Sequence, residues 1–177
     1  MLSNYEIEAI NEYMFMERLD LFAVPDVVLF LPDGDATLSE QLHIFFKDKE
    51  LPYLFIPETE LNNRHIRTTL APWEEKERLK VISGQSFLAA ACRMTARAAD
   101  AEKVLLAAAE HELRLPFIEA RMRLRENQRL DVLPMQSETG WTKETWSGEE
   151  TAARYMKSKL KKADQLLKKA VNDPSYH

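Results

Sequence analysis

Apolar positions at helical spacing alternate along this chain with short, continuous apolar runs bounded by proline, aspartate and glycine. Ser3 and Glu6 form a capping box, and Ile7, Ile10 and Met14 follow at helical spacing, which predicts a helix over 4–18. Val27-Val28-Leu29-Phe30-Leu31 shows no polar alternation. A β-branched and aromatic run of this kind predicts a strand buried on both faces. Pro32-Asp33-Gly34-Asp35 closes it as a turn. Thr37 or Ser39 then caps a helix with Leu38, Leu42, Phe45 and Phe46 inward. Tyr53-Leu54-Phe55-Ile56 is a second run, ended by Pro57. A strand, a helix and a strand within about thirty residues match a βαβ unit, so the two runs are expected as adjacent parallel strands. Leu79 to Ile82 is a third candidate strand.

The pattern changes at Ser86. From there to Asp131 the chain is crowded with Ala, Leu, Glu, Arg and Met, all good helix formers. Leu88, Ala91, Cys92, Thr95, Ala99, Leu106, Ala109 and Leu113 recur three, four or seven apart, and Ser86 is an acceptable N-cap. This predicts one long central helix, kinked or broken at Pro116, with Phe117, Ala120, Leu124 and Gln128 extending its inward face. Arg114, Arg121, Arg125 and Arg129 form a separate stripe along it. The polar segment 136–146 reads as a loop packed by Trp141 and Trp146. Ser147 with Glu150 is a second capping box, and Ala152, Met156, Leu160, Ala163, Leu167 and Ala170 form the seam of a last helix. Its outer face carries Lys157, Lys159, Lys161, Lys162, Lys168 and Lys169, and Asn172-Asp173-Pro174 stops it. The expected architecture is an α/β N-terminal layer over 1–84, with a small, mostly parallel sheet, and a helical C-terminal half over 85–177. The chain is expected to be mostly helical overall and to form one compact body.

Composition narrows the class. With 177 residues, 45% of them apolar, the chain has the size and balance of one soluble domain or two small ones. Cys92 is the single cysteine, so no internal disulfide can form; a reducing compartment is the expectation, with the cytoplasm as the default location. No apolar run approaches a membrane span, and the acidic N-terminus lacks the layout of a secretory signal. The net charge of −5 divides into −8 over residues 1–80 and +3 over 81–177. That asymmetry suits an electrostatic fit within or between subunits, or a basic surface for a polyanion.

Three functional readings follow. The first in rank is a non-catalytic interaction protein. In it the last helix docks on the body by its upper stripe, while Leu166, Leu167 and Val171 reach a protein partner or a second copy in a homo-oligomer. The second concerns Asp33-Gly34-Asp35-Ala36-Thr37, which resembles the first motif of haloacid-dehalogenase-type phosphotransferases. That resemblance implies Asp33 as nucleophile, Asp35 as general acid, a nearby Mg²⁺ and Ser83 as the phosphate-binding hydroxyl. Two carboxylates and Mg²⁺ at a rigid strand end suit phosphoryl transfer. Under the other readings no cofactor is expected. The third is a nucleic-acid-binding accessory protein, with Arg114, Arg121, Arg125, Arg129, Lys157, Lys161, Lys162 and Lys168 on phosphates. No metal site is expected. His43, His65, His111 and His177 show no paired spacing, and Glu110-His111-Glu112 on a helix would point different ways.

Overall fold

The computed structural model describes residues 2–84, 86–138 and 140–172. Five parallel strands form one sheet in the order β3-β2-β1-β4-β5. The strands are β1 (Val27–Leu31), β2 (Tyr53–Pro57), β3 (Leu79–Ile82), β4 (Lys103–Ala109) and β5 (Arg129–Met135). The principal helices are α1 (Asn4–Met14), α2 (Ala36–Phe46), α3 (Arg64–Thr69), α4 (Ala71–Glu75), α5 (Phe87–Arg97), α6 (Arg114–Arg123) and α7 (Glu150–Asn172). β1 and β2 are adjacent and parallel, with Val27 opposite Tyr53 and Leu29 opposite Phe55, as their apolar continuity predicts.

The segment 86–131 is not one long helix. It breaks into α5, β4, α6 and the start of β5. The C-terminal half is therefore not helical throughout: two of the five strands lie there, and β4 pairs with β1 from Val104 to Ala108. Leu106 and Ala109, read as one helical stripe with Leu88 and Ala91, lie on a strand instead. The composition of Lys103–Ala109 is the cause. Its three alanines favour a helix locally, but β4 is buried on both faces between two strands, where small side chains let the flanking layers approach. Pro116 does not kink a helix. It sits in the first turn of α6, where amide groups have no partner within the helix. Ser86 makes no side-chain cap to α5.

The sheet is covered on both sides, and strand alternation assigns each residue to a layer. Val27 and Leu29 with Val104 and Leu106 pack on α5 and α6 through Leu88, Ala91, Cys92 and Ala120. Val28 and Phe30 with Leu105 and Ala107 pack on α2, α3 and α4 through Leu38, Leu42, Ile66 and Trp73. A third cluster joins α1 to α7 through Ile10, Met14, Trp146, Ala152 and Met156. α1 ends at Met14, short of the expected Arg18. The carboxylate of Asp131 on β5 accepts the amide protons of Leu19 and Leu21, which ties that connection to the edge strand. The capping box of Ser3 and Glu6 forms as expected. Ser147 lies in a short 3₁₀ turn before α7. Of the expected stop signal and histidines, Asp173, Pro174 and His177 lie outside the described residues. No helix among the described residues is long and apolar enough to cross a membrane.

Candidate functional site

From β1 the chain winds to β2 and β3 on one side, and the later strands β4 and β5 fill the other. The connections after β1 and β4 therefore diverge, and a crevice opens outside the carboxyl ends of these strands. A cleft of about 820 Å³ occupies that place. Pro32, Asp33 and Asp35 reach it from the end of β1, and Thr59 and Glu60 from the end of β2. His111 and Glu112 reach it from the end of β4, and Lys159 from α7.

Asp33 is exposed and holds a left-handed conformation, with φ of +50°. Asp35 caps α2. Its Oδ1 accepts from the backbone N and Oγ1 of Thr37, at 2.9 and 2.6 Å, and its Oδ2 accepts from the Glu138 amide at 2.7 Å. Glu60 accepts the Gly34 amide proton at 2.9 Å and so ties the β2 loop to the β1 loop. Burial pushes the Glu60 carboxyl above its ordinary range, the negative charge of Asp33 adds to this, and the Gly34 hydrogen bond opposes it.

His111 is buried, and burial pulls its imidazole below the ordinary value. Glu112, Asp33 and Asp35 oppose that shift, whereas Lys159 reinforces it. The ring meets Trp141 and Tyr155 edge-on, with centroids 5.6 and 6.0 Å away. Its Nε2 stands 3.9 Å from Glu112, too far for a hydrogen bond, and its Nδ1 is buried with no hydrogen-bond partner. Lys159 donates to Glu112 at 2.5 Å and so fastens α7 to the rim.

Asp33 and Asp35 both line the cleft, but Ser83 does not. It follows β3, which β2 separates from β1. Mg²⁺ does not fit either. Among the described residues no three His, Cys, Asp or Glu side chains form a metal-holding group, and Asp35 already accepts three hydrogen bonds from the chain's own donors.

The four arginines do not form a stripe on one helix. Arg114 and Arg121 lie on α6, Arg125 in the following loop and Arg129 at the start of β5. Arg114 donates to the Tyr13 carbonyl. Arg121 donates to the carbonyls of Gln128 and Arg125, both at 2.7 Å. Arg125 donates to Ala98 at 3.1 Å, and Arg129 to Leu21 at 3.3 Å. They bind together the backbone around α6. On α7, Lys157, Lys161 and Lys162 are exposed, and Lys168 pairs with Asp164 at 2.7 Å. Leu167 and Val171 are 40% and 79% exposed.

Sequence reasoning did not place Glu60, His111, Glu112 and Lys159 in one cleft with Asp33. One signal was present: Glu110-His111-Glu112 directly follows Lys103–Ala109. Read as a strand, that run would have placed the triplet at the functional end of a parallel sheet. Comparisons with family models, curated proteins and solved structures found no match to this chain.

Proposed function

We propose that this chain is a small-molecule-binding protein whose ligand sits in the cleft at the carboxyl ends of β1, β2 and β4. The observation that carries the reading is the position of this cleft at the winding reversal, where Asp33, Glu60 and the unpaired His111 converge. Open parallel sheets place ligands there because diverging loops leave a ready-made pocket on a rigid floor. The phosphotransferase reading has less support, since Asp35 caps α2 and already accepts three hydrogen bonds from the chain itself. The test is a fragment screen by thermal shift on wild type and on Thr59→Trp, a bulky side chain on the exposed rim. Fragments that stabilise wild type should lose their effect in the variant. A screen without any hit, or hits indifferent to Thr59→Trp, would refute the reading.

A second reading keeps the last helix as an interaction surface. Ala152, Met156 and Ala163 are buried against the body, whereas Leu167 and Val171 further along α7 stand in water. Large apolar side chains left exposed each forgo roughly 1.5–3 kcal/mol, which a second copy or protein partner would recover. Light scattering after size exclusion should show an assembly that Leu167→Asp dissolves without loss of fold. A monomeric wild type would remove self-association through this surface.

A further inference from the structure

We propose that the cleft selects an organic cation, a primary ammonium, amidinium or guanidinium group carried on a small apolar body. The inference rests on the reading of the cleft as the ligand site and names the chemistry of its occupant.

The first ground is charge. Five carboxylates line the cleft, those of Asp33, Asp35, Glu60, Glu112 and Glu119, against a single lysine. Three of them are already answered: Asp35 by backbone amides, Glu112 by Lys159, and Glu119 by Arg123 at 3.3 Å. Asp33 and Glu60 form no ion pair among the described residues, and they are neighbours, since Glu60 binds the amide of Gly34. Two adjacent carboxylates without a cation leave a field that attracts positive charge at the cleft.

The second ground is independent of charge. His111 is 5% exposed and lines the same cleft, yet its Nδ1 has no partner. A buried ring nitrogen with no partner is unfavourable, and with the ring proton on Nε2, the side facing Glu112, Nδ1 is an acceptor that lacks a donor. An N–H brought by a ligand supplies one, and ammonium, amidinium and guanidinium groups carry several N–H donors beside their charge.

The third ground sets the rest of the molecule. Leu31, Phe87, Leu88 and Leu115 form apolar walls, which a bare metal ion would leave uncovered. An anionic ligand would find only Lys159, and would have to displace Glu112 from it.

Three probes with one ring and three charges test this: benzamidine, benzamide and benzoate, titrated calorimetrically into the full chain. Benzamidine should bind at least about tenfold more tightly than benzamide, the value of one added charge-assisted contact, with benzoate weakest. Asp33→Asn and Glu60→Gln should each narrow that gap, and His111→Phe should weaken benzamidine in a protein whose circular dichroism is unchanged. Added salt should weaken benzamidine and leave benzamide unaffected. Equal binding of benzamide or benzoate would overturn the choice of a cation. The cleft itself would stand in that case if Thr59→Trp abolished the binding. Failure of all three probes would overturn the cation inference, and the broader fragment screen would then judge the cleft separately. Benzamidine binding that persists in Thr59→Trp lies elsewhere and would overturn both.

Discussion

His111 and Asp131 are both buried polar residues, and they differ in how much of their hydrogen-bonding capacity the fold uses. Asp131 has a fully buried side chain, and its oxygens accept the amide protons of Leu19, Leu21 and Val132. Every acceptor there is used by the fold. His111 has an unused nitrogen at a cleft wall. Replacing it with Phe keeps the ring contacts to Trp141 and Tyr155 and removes the unpaired atom, so His111→Phe should raise stability by about 1 kcal/mol at neutral pH. The pH dependence has a definite sign. Burial holds the His111 pKa below its ordinary 6.5, so the unfolded chain takes up the proton first. Its contribution is therefore complete above 6.5 and falls as pH drops toward the lowered value. Glu60 and Glu110 are raised above 4.5 and act oppositely, favouring the folded state as pH falls through their raised values. Urea unfolding of wild type and His111→Phe at about pH 7.5 and about pH 5.5 isolates the histidine. The advantage of the variant should widen at the lower pH. An unchanged difference would mean that His111 is not held neutral.

At the scale of the element, β4 is the instructive one. Ala107, Ala108 and Ala109 are all buried, and Ala107 is opposite Phe30 on β1 and Leu133 on β5. The helical preference of alanine is at most about 0.7 kcal/mol over ordinary residues, which pairing on two sides and burial on both faces exceed. Small side chains at this point are a packing requirement. Ala107→Leu should therefore destabilise by about 1–3 kcal/mol despite being an apolar exchange at a strand position. Chemical denaturation measures it, and a neutral result would show slack on the α2 side of the sheet. α6 offers a similar lesson. Phe117, Ala120 and Leu124 face the core as their spacing predicts, yet the helix is short and its arginines face the carbonyls of adjoining loops.

For the molecule as a whole, Cys92 reports on integrity. It is fully buried between the sheet and α6, and burial raises its thiol pKa to about 12. Reaction with a disulfide reagent at neutral pH should thus require opening of this core, and Ala107→Leu should accelerate it. Rapid labelling of the folded wild type would contradict the burial.

What the sequence determined by itself is local. β1, β2 and β3, the parallel β1–β2 pair, the inward faces of α2 and α7 and the Asp33–Asp35 turn follow from spacing and turn chemistry within a few residues. Tertiary structure decided the rest. β4 exists as a strand because the edge of β1 was there to pair with, which no propensity in its alanine-rich run can express, and β5 pairs in turn with β4. The cleft follows from that. It needs β4 beside β1, so that His111 and Glu112 come to Asp33 across a large separation in sequence, and the strand order of the sheet alone brings them together.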